Sequence, residues 1–276
     1  MCRILIALLF ASLLSACASA PKVAQRGIPT ERELTPVRDE AYARADRFLD
    51  IDAVLAARSA TLPQVDVAEG AAAQDVSADQ AALVANRAAR EVCNALAPHL
   101  AMVERDGDLE IALRVVAVQP TSRGAAGVSE VIGFFVPGPF RLPAGLGGLA
   151  IDGVARDDGS DVLVLHWAEG ANAVTEGARI STIGDAYQLA GQFASDFARA
   201  LVDPRGKDGE TRARLDPAQR EANKALCRAR FGSANLAGRG ASILLPLAPE
   251  AIDDGAPAET PQAVPAADAG SARPGG

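Results

Sequence analysis

Four cysteines and two histidines carry most of the chemistry open to this chain of 276 residues. A thiol can be acylated, bridged or bound to a metal, and an imidazole can ligate a metal or move a proton. The cysteines are Cys2, Cys17, Cys93 and Cys227; the histidines are His99 and His166. None stands at ligand spacing from another, and neither HExxH, CxxC nor the nucleophile elbow GxSxG occurs. A hydrolytic triad drawn from distant residues would have only His99 or His166 to use. Asp157, Asp158 and Asp161 cluster around Gly159, where turn chemistry explains them better than paired acid–base catalysis. Gly145-Leu146-Gly147-Gly148-Leu149-Ala150 matches the dinucleotide pattern GxGxxA in form. A proline-rich stretch precedes it and a strand pattern follows, so no helix amino terminus meets a pyrophosphate there. The expectation is a non-catalytic protein with no cofactor and no metal.

The amino terminus directs one thiol to a specific chemistry. Arg3 gives a short positive region, and Ile4 to Leu14 is an apolar stretch broken only by Ser12. That is the length of a signal-peptide core and too short to span a bilayer as a helix. Leu14-Ser15-Ala16-Cys17 resembles a bacterial lipobox, in which cleavage precedes the cysteine and acyl chains are attached to it. An ordinary secretory signal cut after Ala16, Ala18 or Ala20 is the alternative. On the lipobox reading, residues 1–16 are removed and Cys17 becomes a membrane anchor. Two or more chains hold stably where one does not, at ~0.8 kcal/mol per buried CH2. By resemblance to sorted lipoproteins, the lack of Asp at position 18 implies the outer membrane, facing the periplasm. Cys93 and Cys227 then remain. In an oxidising compartment they either form a disulfide or stay as two buried thiols.

Composition bounds the rest. With 35 acidic and 27 basic residues the formal charge is -8, which argues against a nucleic-acid partner. The 59 alanines inflate the apolar fraction, because alanine buries little area. Residues 17–44, with Pro21, Pro29 and Pro36, read as a flexible tether. Residues 249–276 read as a disordered tail, since 17 of their 28 positions are Ala, Pro or Gly. Residues 45–248 read as a single domain.

Periodicity within that domain predicts the elements. Arg47 to Ala56 reads as a first strand, with Leu49, Ile51, Ala53 and Leu55 on one face. Ser77, with Gln80 three residues on, predicts a capping box for a helix that ends before Pro98. Leu109 to Ala117 alternates as a strand. Leu149 to Ala155 and Val162 to Trp167 form a hairpin about Asp157-Asp158-Gly159-Ser160. Thr182, with Asp185, reads as the cap of a second helix whose buried stripe includes Ile183, Tyr187, Ala190, Ala194, Phe197 and Leu201. Asp216-Pro217 opens a third helix that runs to about Phe231 and carries Cys227. The order β-α-β-β-β-α plus a C-terminal helix implies an α+β two-layer sandwich with a mostly antiparallel sheet. A Cys93–Cys227 bridge would clamp the third helix onto the first.

The run Gly133-Phe134-Phe135-Val136-Pro137-Gly138-Pro139-Phe140-Arg141-Leu142-Pro143, followed by Gly145-Leu146-Gly147-Gly148-Leu149, resembles a proteobacterial lipoprotein family known only as a domain of unknown function. The strand before it and the Asp-Gly hairpin after it fit as well, so the resemblance covers roughly residues 42–203. The element order is also similar to that of TolB-amino-terminal-like periplasmic lipoproteins, which implies an accessory binding role. Phe134, Phe135 and Phe140 either cap the core or form an apolar patch that docks a protein partner or dips into lipid. The function expected is a non-catalytic binding or scaffolding module with an envelope protein partner. A carrier of an apolar ligand between sheet and helices is the alternative, and a hydrolase comes third.

Overall fold

Alternating apolar residues build the sheet, and two helices with apolar stripes cover one of its faces. The computed structural model describes residues 19–23, 26–121, 146–171, 181–206, 209, 211–234 and 248–256. The strands are β1 (Thr35–Asp39), β2 (Ala43–Leu49), β3 (Ser59–Thr61), β4 (Gln64–Val67), β5 (Ala101–Val103), β6 (Glu110–Gln119), β7 (Gly148–Asp157) and β8 (Ser160–Gly170). The helices are α1 (Ile51–Ala56), α2 (Ala78–Leu96), α3 (Gly184–Val202), α4 (Pro217–Phe231) and α5 (Pro249–Ile252). The main sheet has the order β1-β2-β8-β7-β6-β4, and β3 pairs with β5 in a small second sheet. In the main sheet only β4 runs parallel to its neighbour, β6. The α+β class, the mostly antiparallel sheet and the C-terminal helix follow the sequence expectation.

The β7–β8 hairpin is the centre of the sheet. Asp158 and Gly159 both have positive φ, 46° and 76°. That is the pairing a two-residue primed turn requires, because its twist matches that of the strands. Ile151, Gly153, Leu165 and Trp167 face the helices and join the main core. Trp167 meets Phe193 edge to face at 5.9 Å, and Phe193 stacks on Phe197 at 5.8 Å. A Cβ on Gly153 would lie 2.7 Å from Phe197, so glycine there lets α3 approach β7 closely. The opposite face carries a small cluster of Ala20, Ala150 and Ala168, packed against Val23, Val116 and Ala117. Residues 19–23 and 26–30 therefore lie across that face as a strap.

Several expectations are corrected. The strand expected over 47–56 stops at Leu49. The Asp50 carboxylate then accepts the Ala53 N–H at 3.1 Å and starts α1, leaving Ile51 exposed. Thr182 does not cap α3. Its N-cap is Ile183, whose hydrocarbon side chain has no atom to accept a bond, and Asp185 turns inward to Thr121 and Gly147. Part of the stretch read as a tether is structured: β1 pairs with β2, and Ala20 is buried. β1 gives a weak sequence signal because it is an exposed edge strand with a bulge beside Pro36. The start of the presumed tail is also ordered, since α5 and Asp253 pack on the body. The capping box of Ser77 and Gln80, and Asp216 as the cap of α4, are as the sequence implies.

Candidate functional site

The strap-covered face holds a row of ionisable side chains. The registers place Asp46 opposite His166, His166 opposite Asp152, Asp152 opposite Arg114, and Arg114 opposite Asp66. Five adjacent strands thus contribute one charged or titratable residue each, with alternating sign when His166 is protonated. The row is buried at its centre, where Asp152 is 1% and His166 6% exposed. Gly27 and Ile28 donate their N–H groups to Asp152 Oδ2 at 2.6 and 3.3 Å, and Arg114 donates to the Gly27 carbonyl at 3.2 Å. Arg26 reaches Asp46 at 3.1 Å. Burial lowers the His166 pKa below its ordinary value. Asp152 opposes that shift, Arg26 adds to it, and the Ile28 carbonyl and Asp46 oppose it. The row serves as a latch: it holds the strap down by buried, charge-assisted hydrogen bonds.

A groove runs between the β1–β2 edge and α3. Its two adjoining hollows, about 460 and 340 Å³, share Arg38, Asp196 and Arg199. Arg38 donates to Glu169 at 2.8 Å and to Asp196 at 3.2 Å, and the Trp167 indole N–H donates to Asp196 at 3.1 Å. Burial raises the Glu169 pKa, Arg38 pulls it back, and the net direction is upward. Arg47 and Arg205 line the outer hollow. The groove offers both signs of charge over a floor of Trp167, Leu165 and Ala45.

Other buried polar groups tie the chain together. Cys93 and Cys227 form a disulfide with a Cα–Cα distance of 5.8 Å, which joins α2 to α4. Asn223 reinforces that joint: it accepts from Met102 N–H and donates to the Ala97 and Leu100 carbonyls. Arg90 pairs with Asp253, which also accepts from the Tyr187 hydroxyl, so the C-terminal segment is clasped to α2 and α3. Asp185 accepts from Thr121 Oγ at 2.9 Å and from Gly147 N–H at 2.8 Å, joining the ends of β6 and β7 to the start of α3.

The structure thus brings Cys93 and Cys227 together, whereas Cys17, Phe134, Phe135 and Phe140 lie outside the described residues. His99 is apart from His166; its ring Nδ1 lies 2.9 Å from the Arg212 carbonyl. Asp161 bonds Arg156 and Thr30 at the hairpin turn. Among the described residues no group of three His, Cys, Asp or Glu could hold a metal ion, and no helix is long and apolar enough to cross a membrane. Sequence reasoning missed Asp152, Arg38, Glu169 and Asp196. Asp152 had a signal, being a lone acid inside the apolar run Leu149 to Val154.

Residues 24–197 match the family described as "Protein of unknown function (DUF3313)". The chain belongs to this DUF3313 family. The match takes in the latch residues from Arg26 onward, all the strands and α3 as far as Phe197, whereas the groove continues past its end at Arg199 and Arg205. The domain-of-unknown-function resemblance is thereby borne out, and it extends further toward the amino terminus than residue 42. Two solved structures of the PelC dodecamer from Paraburkholderia phytofirmans are similar to the chain, each 9% identical. One is a leucine-to-methionine variant with a TM-score of 0.32, covering 58% of this chain and 96% of its own; the other scores 0.37, with 63% and 99%. The family match gives no support to the TolB-like comparison. No curated protein matches the chain.

Proposed function

We propose that this chain is an outer-membrane lipoprotein, anchored through Cys17, which acts as a non-catalytic periplasmic binding or scaffolding module for another envelope protein. The observation that carries the reading is the buried Cys93–Cys227 disulfide. A structural disulfide fits an exported protein, and the signal-like residues 1–16 with Cys17 supply the route. The non-catalytic part rests on how the buried ionisable groups are used. Asp152 holds the strap, Asp185 the strand ends and Asp253 the C-terminal segment. The groove of Arg38, Glu169, Asp196 and Arg199 suits a polar extended segment of a partner, since it presents both donors and acceptors. The apolar-carrier alternative gains nothing from the sheet–helix interface, which Trp167, Phe193 and Phe197 fill. Docking by Phe134, Phe135 and Phe140 remains part of the proposal.

Metabolic palmitate labelling of the full chain tests the anchor. Label is expected in the wild type and absent from Cys17→Ser; an unlabelled wild type overturns the envelope address. A photo-crosslinker at Ser195, in the groove, tests the binding role. A discrete adduct with one envelope protein is expected, and a correctly acylated chain that gives no adduct counts against a scaffold.

A further inference from the structure

We infer that the end of the main sheet at which the chain enters at Ala20 is the membrane-proximal end of the body; this rests on acylation of Cys17. Ala20 is 3% exposed, with its N–H donated to the Ala41 carbonyl at 3.0 Å. Pro21 is buried next, and its Cγ is 3.0 Å from where a Gly148 Cβ would stand. Three residues span at most about 10 Å, so Cys17 cannot lie farther than that from Ala20. Ala20 itself joins the body at the sheet end formed by the β1–β2 turn, the end of β6, the start of β7 and the end of β8. The Gly170 N–H bond to the Tyr42 carbonyl and the Ala171 N–H bond to the Gly147 carbonyl fix these pieces together.

Two further features suit that orientation. Tyr42, on the β1–β2 turn, is 39% exposed, and an amphipathic tyrosine is favoured at the headgroup level. Charge is asymmetric along the strands. At the far end Asp50, Asp52, Glu104, Asp106, Asp108, Glu110, Asp157 and Asp158 are exposed, against exposed Arg58 and Arg105. Among the described residues at the near end, exposed Lys22 and Arg44 balance Asp39 and Glu40. Anionic phospholipid repels the first end more than the second. The latch of Gly27 on Asp152 then has a mechanical role: it carries the pull of the anchor into the centre of the sheet.

The test places an environment-sensitive fluorophore on Tyr42→Cys or on Ser160→Cys in the full acylated chain. The protein is reconstituted in phosphatidylethanolamine–phosphatidylglycerol vesicles doped with a headgroup-spin-labelled phosphatidylcholine. Quenching is expected to be severalfold stronger at position 42 than at 160. A Gly/Ser insertion of about twelve residues after Cys17, with an r.m.s. reach of about 20 Å, should remove most of that difference. Equal quenching at the two positions, with the acyl chains verified by mass spectrometry, overturns the seating and leaves the anchor intact. A Cys17 without acyl chains overturns both.

Discussion

The Gly27 N–H donates to the Asp152 carboxylate at 2.6 Å, joining the strap to the middle of the central hairpin across 125 positions of chain. Asp152 is 1% exposed, so this bond is made where water cannot replace it. Gly27 itself has no room for a side chain, since a Cβ would fall 2.4 Å from Val116 Cγ1.

Asp152→Ala should therefore destabilise the protein by about 2–4 kcal/mol, because two strap amides lose a buried charged acceptor. Asp66→Ala, at the exposed end of the same row, should cost less than about 0.5 kcal/mol. Urea denaturation measures both. Trypsin should cut the Asp152→Ala protein at Arg26 faster than the wild type if the strap has been released.

His166 gives the latch a pH dependence. Its folded pKa is lowered by burial, so between the folded and unfolded values the unfolded chain binds more protons. Stability is full above the unfolded value and is lost as pH falls from about 6.5 through the folded pKa. The urea midpoint should drop between about pH 7 and pH 5, and His166→Gln should flatten that drop. An unchanged slope in the variant would assign the effect to other groups.

The clasp at Arg90 and Asp253 should behave in the usual way of a buried pair. Burial opposes ionisation of Asp253, but the bonds from Arg90 and Tyr187 outweigh it and hold its pKa below the ordinary range. Its contribution is present above the unfolded value of about 3.9 and is lost as pH falls through the folded one. Arg90→Met leaves an unpaired buried carboxylate and should cost about 3–5 kcal/mol. Combining it with Asp253→Leu should restore much of that loss, as read by thermal unfolding.

Loss of the disulfide is a separate expectation. The bridge closes a separation of 134 residues, and Cys93→Ala with Cys227→Ala should cost about 2–5 kcal/mol. Alkylation of the unfolded mature chain, with residues 1–16 removed and Cys17 acylated, should leave its mass unchanged without reductant; two added groups would contradict the bridge.

Much of the scaffold was legible because it depends on local rules. The capping box of Ser77 and Gln80, the Asp158-Gly159 turn and Asp216-Pro217 are each readable within a few residues. The errors have physical causes. Leu49, Ile51, Ala53 and Leu55 alternate, yet β2 ends at Leu49 because Asp50 caps a helix there. β1 was hidden because an edge strand needs no buried face. Counting back from the hairpin turn would set Asp152 opposite Leu165. A register shift between Ala155 and Arg156 instead sets it opposite His166, so the central pair of the latch cannot be counted from sequence.

The sequence alone determined the α+β class, the hairpin, the three long helices and the family-like Gly/Pro run, because periodicity, caps and turns are properties of neighbouring residues. Only the tertiary structure decided that Cys93 meets Cys227, that Asp253 closes on Arg90, and that the strap lies on Asp152. Each of those contacts joins residues more than a hundred positions apart. Their meeting is set by how the helices and sheet pack, which no local pattern encodes.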